Sequence, residues 1–178
     1  MGKLANAIGY QLVWFASVMG AIHGAWYAGP LAAALFASMV LAFGSNGRAD
    51  LRLIPWVLAI GLLADSAWIA LGWLDYSAPW PSAEFAPGWI LAIWLAFSLT
   101  LNHSLAFLKH RYALAALLGA IGGPLAYWCA ARGFGAVHFD APDMTVLIGL
   151  GIAWALMIPM FVRIADAAQM REMHAVAP

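Results

Sequence analysis

Long runs of apolar residues, separated by short polar segments, are the main pattern of this chain. Six such runs can be marked, each bounded by a stretch that contains charged residues, glycine or proline. About 20 apolar residues in a helix span the hydrocarbon core of a bilayer. The pattern therefore predicts an all-α fold, a polytopic membrane helix bundle that forms a single integral membrane domain over residues 1–178. The six predicted transmembrane helices are 8–27, 30–43, 53–74, 88–108, 112–131 and 144–164.

Basic residues lie almost entirely on one side of this predicted bundle. Of the eight, only Arg132 falls on the other side. Because cytoplasmic loops are enriched in Lys and Arg, both termini are predicted to be cytoplasmic. The same distribution favours a full span for the short second run over a re-entrant segment. The residues on the predicted cytoplasmic side are Lys3, Arg48, Arg52, Lys109, Arg111, Arg163 and Arg171.

A single acidic residue, Asp65, lies inside the third apolar run. A carboxylate in the hydrocarbon costs about 2.5–3.5 kcal/mol on insertion scales, so this side chain is expected to face other helices. Gly61, Trp68 and Gly72 share its helix face at spacings of three and four residues. Two roles stay open for Asp65. An intramembrane acid is a functional candidate by default, and a buried polar pair can also clamp helices together.

Other polar side chains in the apolar runs group at two depths, counted at about 1.5 Å per residue from the predicted cytoplasmic ends. In the outer half, His23 or Tyr127 is predicted to be the polar partner of the intramembrane acid. In the inner half, Gln11 is predicted to contact Asn102 or His103, with hydration at the membrane surface as the alternative. The full set of candidates for a ligand site or polar core is Asp65, His23, Tyr127, Trp68, Gln11, Asn102, His103, Ser98 and Trp94.

The longest predicted outer loop, residues 75–87, reads DYSAPWPSAEFAP. Its three aromatic residues, Tyr76, Trp80 and Phe85, are interspersed with prolines. Aromatic side chains concentrate at the membrane–water interface, so the loop is predicted to be an interfacial cap. A lid over a substrate is the alternative.

Composition excludes several classes of protein. With 65% hydrophobic and 9% charged residues and a net charge of zero, the chain carries no basic surface for nucleic acid. Cys129 is the only cysteine, so an internal disulfide is excluded. The five histidines are scattered over the chain, and no metal site or other cofactor is predicted. Because no catalytic motif is present either, the sequence leaves enzyme activity undecided and favours its absence.

Four stretches of the chain resemble one bacterial family. They are NAIGYQLVWFASVMGA, ADSAWIALGW, WILAIWLAFSLTLNHSLAFLKHR and LLGAIGGPLAY. In content and order they are similar to the inner-membrane proteins of domain of unknown function 2878. The resemblance implies a multi-pass protein of the bacterial inner (cytoplasmic) membrane, and it implies no activity. The matching positions include Asn6, Gln11, Trp14, Asp65, Ser104 and Gly122–Pro124.

Three hypotheses for function follow. With ten Trp, two polar layers and no reaction signature, the leading one is a protein that binds a lipid or other apolar small molecule, or that supports a partner membrane enzyme. The second is a proton-coupled transporter of small solutes in which Asp65 exchanges a proton. The third is an intramembrane lipid-modifying enzyme in which Asp65 or His103 is the general base.

Overall fold

A computed structural model describes residues 2–176 of the chain, with side chains up to Arg171. This part of the chain forms six α-helices and one antiparallel pair of short strands. The elements are α1 (Lys3–Ile22), α2 (Ala28–Phe43), α3 (Gly47–Ala70), β1 (Leu74–Tyr76), α4 (Gly88–Ser98), α5 (Tyr112–Trp128), β2 (Val137–Phe139) and α6 (Asp143–Val176). A 3₁₀ turn (Ala106–Leu108) precedes α5, and a π-helical turn (Cys129–Phe134) extends it.

The all-α prediction is confirmed. Within the described residues, four helices are long and apolar enough to cross a membrane: α1, α3, α5 with its π turn, and α6. The other two, α2 and α4, are apolar but have only 16 and 11 residues. This architecture is consistent with a membrane protein. The apolar side chains that face outward, among them Leu63, Leu35 and Leu156, are 65–70% exposed, as expected for a lipid-facing surface.

The fourth apolar run differs from its prediction as one helix over 88–108. Helix α4 ends at Ser98, and residues 99–105 form non-helical turns, here called the unwound segment. Side-chain hydroxyls begin the departure, because Ser98 Oγ donates to Leu95 O and Thr100 Oγ1 donates to Phe97 O, each at 2.6 Å. Short hydroxyl side chains that bond to nearby carbonyls compete with helical hydrogen bonding. The apolar pattern alone did not reveal this competition.

Carbonyl groups freed by the unwinding are bonded from other elements. Asn6 Nδ2 on α1 donates to Leu99 O at 3.0 Å, and Asn46 Nδ2 donates to Asn102 O at 3.0 Å. The Oδ1 atom of Asn6 also accepts from Ser104 Oγ at 2.6 Å. Non-helical backbone at membrane depth needs such partners because lipid offers none.

Close packing of α5 on α6 depends on glycine. A side chain at Gly119 would collide with the backbone oxygen of Trp154, and one at Gly123 would collide with the indole ring of Trp154. The absence of side chains at these two positions lets the two helix backbones approach closely.

The outer loop is only partly a surface cap. Its first residues form β1, in which Leu74 pairs with Phe139 and Tyr76 pairs with Val137. Strand alternation then turns Tyr76 inward, where it is only 2% exposed. Trp80 and Phe85, at 49% and 55% exposed, lie at the surface as an interfacial cap would. The prediction of a cap is therefore wrong for Tyr76, because pairing with a distant strand places that ring in the core.

Candidate functional site

The carboxylate of Asp65 accepts three hydrogen bonds from three different elements. Tyr76 Oη on β1 donates to Oδ1 at 2.6 Å, and Tyr127 Oη on α5 donates to the same oxygen. Trp94 Nε1 on α4 donates to Oδ2 at 2.6 Å. These four residues, here called the Asp65 cluster, join α3, β1, α4 and α5, and Asp65 itself is 0% exposed.

The predicted helix face explains how Asp65 reaches its partners. One turn before it, a side chain on Gly61 would lie 2.5 Å from the indole of Trp94, so only glycine allows α4 this close. Trp68 shares the face but stacks on Trp73 instead, at 5.4 Å between ring centroids. Gly72 lies beyond the end of α3, and its φ of +64° forms the turn into β1. The face is thus confirmed for Gly61 and Asp65, whereas Gly72 has a turn role.

His23 does not belong to the Asp65 cluster. Helix α1 ends at Ile22, and the exposed His23 ring lies at its end with Nδ1 2.8 Å from Met19 O. The prediction that offered His23 or Tyr127 as partner is confirmed for Tyr127 and wrong for His23. The depth estimate treated His23 as a helical residue that faces the bundle, whereas α1 ends one residue before it and the ring is exposed.

The geometry of the Asp65 cluster is that of a clamp. Indole N–H groups only donate, so Oδ2 must be an acceptor, and two phenol hydroxyls occupy Oδ1. Asp65 is fully buried and lines neither the small cavity nor the groove described below. A solute would therefore have to displace one of its three donors to reach the carboxylate.

Two connected spaces lie beside the cluster. A small cavity of about 40 Å³ is lined by Trp94 and Tyr127 of the cluster and by Tyr10, Trp14 and Trp154, among others. Next to it, a groove of about 800 Å³ runs between α1 and α5, here called the α1–α5 groove. Tyr10, Trp14 and Trp154 line both spaces. Two members of the Asp65 cluster, Trp94 and Tyr127, thus line the small cavity, and no member of the cluster lines the groove.

Trp154 has an unpaired polar group beside these spaces. Its indole stacks on that of Trp94, with ring centroids 4.9 Å apart and planes 13° apart. Trp94 donates its N–H to Asp65, whereas Trp154 Nε1 is buried and has no hydrogen-bond partner in the described part of the chain. Leaving a buried N–H unpaired costs about 1–3 kcal/mol, so this atom is a candidate for contact with a ligand.

A second polar cluster lies at the other end of the bundle, around Asp50 in the first turn of α3. Asp50 is 0% exposed and its Oδ1 accepts from Asn102 Nδ2 at 2.9 Å, while Oδ2 lies 2.8 Å from His103 Nε2. Asn102 and His103 are therefore buried in the protein and not hydrated at its surface. Gln11, predicted to contact them, is exposed and lines the α1–α5 groove.

Lys109 extends this second cluster to α6. Its Nζ donates to Asn102 Oδ1 at 2.9 Å and lies 3.7 Å from Asp166 Oδ1, and it also donates to Gln169 Oε1. Burial lowers the pKa of Lys109, while the negative charges of Asp166 and Asp50 act against that shift. Asp50, Asn102, His103, Lys109 and Asp166 are called the inner cluster below.

Comparison with known proteins gives a family without a known activity. Residues 3–160 match the family model described as protein of unknown function (DUF2878). The chain belongs to this family. No curated protein and no solved structure matches the chain. The DUF2878 match spans the whole Asp65 cluster and Trp154, and it ends before Asp166 of the inner cluster.

Sequence reasoning missed Asp50 and Tyr76, and it placed Ser98 with the polar candidates. Ser98 bonds only within its own helix end, to Leu95 O. Asp50 precedes the third apolar run, so the sequence pattern assigns this acidic residue to a cytoplasmic loop. Helical periodicity could have identified Asp50. If the third helix is extended slightly toward the N-terminus, Asp50 falls on the same face as Leu53 and Val57, which are both buried.

Proposed function

We propose that this DUF2878 protein is an integral membrane protein that binds a lipid or other apolar small molecule in the α1–α5 groove. The observation that carries the proposal is the groove itself. Its volume of about 800 Å³ is within the range of ligand pockets, about 300–1,000 Å³. Its lining is Tyr10, Gln11, Trp14, Phe15, Phe97, Leu105, Leu108, Leu118, Gly119, Gly122, Gly123, Leu125, Ala126, Cys129, Phe134, Trp154 and Ile158.

The groove lining suits an apolar occupant that enters from the membrane. None of its side chains carries a formal charge. Phe15 and Leu125 at its rim are 50% and 55% exposed, so the groove opens at the lipid-facing surface. Gly122 on the α5 wall has open space where its side chain would be. Replacing that hydrogen by a larger group would therefore fill the groove without a collision.

Photolabelling in lipid nanodiscs tests the proposal. The probe is a C16 hydrocarbon chain with a diazirine and a terminal alkyne, and labelled peptides are located by mass spectrometry. Saturable labelling of α1 and α5 is expected in the wild type. Gly122→Leu should reduce this saturable labelling at least about fivefold, since the leucine side chain occupies space in the groove that a segment of the probe's hydrocarbon chain would fill. Gly133→Leu is the matched control, because Gly133 is also exposed with open space around it and does not line the groove.

The result that would contradict the proposal is uniform labelling. If all lipid-facing helices react equally and without saturation, or if Gly122→Leu and Gly133→Leu label alike, the groove is an ordinary part of the lipid-facing surface. The reporter peptides are those of α5, whose labelling is compared with that of the lipid-facing residues of α2 as an internal reference.

Six spans with both termini in the cytoplasm belong to the same proposal. Four long apolar helices support it directly. Helix α4 is too short to span alone at about 16 Å, but the unwound segment and the 3₁₀ turn continue it, held by Asn6 and Asn46. Reporter fusions at the C-terminus and within residues 77–84 should report opposite sides of the inner membrane. The same side at both points would contradict six spans.

The hypotheses of an accessory subunit, a transporter and an enzyme remain predictions. The transporter hypothesis relied on Asp65 exchanging a proton with a solute, and the enzyme hypothesis relied on Asp65 or His103 acting as a base. Full burial and three donated hydrogen bonds enclose this carboxylate, so the geometry adds no support to either role.

A further inference from the structure

Three buried side-chain polar atoms lack a hydrogen-bond partner within the described residues: Ser17 Oγ, Asp166 Oδ2 and Trp154 Nε1. Ser17 packs directly against the backbone of Gly29, where it is enclosed by α2. Asp166 has the cationic Lys109 and the His110 ring nearby, at 3.7 and 3.9 Å. Of the three residues, Trp154 lines both the small cavity and the α1–α5 groove. Its unpaired N–H is therefore the one positioned to meet a ligand.

The stacked pair of indoles shows what Trp154 lacks. Trp94 and Trp154 lie nearly parallel, in the same apolar surroundings, and Trp94 has a carboxylate as acceptor. The five-membered ring of Trp154, which carries Nε1, lies against Gly123 on the groove wall. Tyr10 lines the same two spaces and adds a hydroxyl to this wall.

We propose that the groove ligand carries a neutral carbonyl oxygen that accepts a hydrogen bond from Trp154 Nε1. This inference rests on the proposed function and names the chemical class of its ligand. An indole N–H only donates, so the ligand group must be an acceptor. No charged side chain lines the groove, which disfavours a carboxylate or phosphate. A ketone, a quinone or an ester combines a neutral acceptor with an apolar body.

Depth favours a carbonyl within the hydrocarbon over a headgroup. Trp154 lies about 16 Å from the start of α6, near the middle of a core about 30 Å thick. Tyr10 lies about 10 Å from the start of α1, which enters from the opposite side. A molecule that reaches both has its polar atom well inside the membrane.

The test compares three photolabelling probes of equal length in nanodiscs: the C16 hydrocarbon, the same chain with one mid-chain ketone, and the same chain with one ester. In the wild type, half-maximal labelling of α5 by a carbonyl probe is expected at a mole fraction about 3- to 10-fold lower than for the hydrocarbon probe. This difference corresponds to the free energy of one net hydrogen bond. A stronger preference for the ester indicates an acyl lipid as the source, and a stronger preference for the ketone indicates a ketone or quinone. Either supports the proposal.

Trp154→Phe should abolish the carbonyl preference, measured within the variant as the ratio of carbonyl-probe to hydrocarbon-probe labelling, because phenylalanine keeps an aromatic ring but lacks the N–H. Trp128→Phe is the control, since Trp128 is 45% exposed and does not line the groove. Tyr10→Phe provides a second variant on the same wall of the groove. The comparison of the three probes in the wild type does not depend on the folding of any variant. Equal labelling by all three probes, or a preference that survives in Trp154→Phe, overturns the inference and leaves apolar binding intact. Absence of saturable labelling by every probe overturns the proposed function as well.

Discussion

Replacing Asp65 tests whether the Asp65 cluster is a structural clamp. Asp65→Leu has nearly the same size but removes both acceptor oxygens, which leaves Tyr76, Tyr127 and Trp94 with unpaired donors in a dry interior. At about 1–3 kcal/mol for each buried unpaired group, the variant should lose at least about 3 kcal/mol of unfolding free energy.

Asp65→Asn should cost far less, about 1 kcal/mol. Its amide oxygen can accept from Trp94 Nε1, and its NH₂ can donate to the two tyrosine oxygens, which are able to act as acceptors. The hydroxyl hydrogens of Tyr76 and Tyr127 must then turn elsewhere. Tyr127→Phe, which removes one donor and keeps the ring, should cost about 0.6–1.7 kcal/mol, as measured for hydrogen bonds between membrane helices.

Equilibrium unfolding in mixed micelles, followed by near-ultraviolet circular dichroism of the tryptophans, measures these differences. The expected order of destabilisation is Asp65→Leu, then Tyr127→Phe and Asp65→Asn close together. If Asp65→Leu proves no less stable than Asp65→Asn, the three hydrogen bonds do not stabilise the fold and the clamp is refuted. If Asp65 is instead a functional acid, the Asp65→Asn variant should be stable but lack the phenotype of the wild type. This measurement therefore separates the structural role of Asp65 from the functional one.

Three further predictions concern the rest of the bundle. Asp50→Ala should lower the unfolding free energy by about 2–4 kcal/mol, because two buried donors lose their acceptor. It should also speed hydrogen exchange in the unwound segment, and unchanged exchange would contradict this prediction. Gly123→Ala should destabilise by about 1–3 kcal/mol through overpacking against Trp154, whereas Gly122→Ala should be neutral or stabilising in thermal unfolding; equal effects would refute the packing. Because the pKa of Lys109 is lowered on folding, the unfolded chain binds more protons between that pKa and the ordinary 10.5. Stability should therefore rise with pH across this window, and Lys109→Met should flatten the rise in denaturation measured at several pH values.

Local patterns predicted the features that depend on one helix at a time. The apolar runs located the six helices of the described chain, but α4 ends ten residues before its predicted end and α6 continues twelve residues beyond its own. The spacing of Gly61 and Asp65 predicted the face that meets α4. Depth along the helices gave His23 or Tyr127 as the partner of Asp65, and the structure has Tyr127. These inferences succeed because helix periodicity and rise are fixed by backbone geometry.

Features that depend on pairing between distant segments could not be predicted in this way. Tyr76 enters the core because β1 pairs with β2, which lies on the far side of α4 and α5 in sequence. The unwound segment depends on Asn6 and Asn46, whose amides replace helical partners for its carbonyls. Each polar residue taken alone fits a surface position, and only the three-dimensional contact shows that it is buried.

Polar contacts from distant segments hold helix α4 and the unwound segment in the bundle. Lipid is as apolar as leucine, so burial of apolar side chains gives membrane helices little drive to associate. Helix α4 is held on one side by Trp94 in the Asp65 cluster, and the unwound segment that follows it is held by the inner cluster. Between these two anchors, the side chain of Phe97 lines the groove and contacts the aromatic ring of Trp154. Under the proposed function, a ligand would therefore replace lipid in the layer between the clusters without breaking any hydrogen bond of either cluster, which is the condition that a binding groove in a stable bundle has to meet.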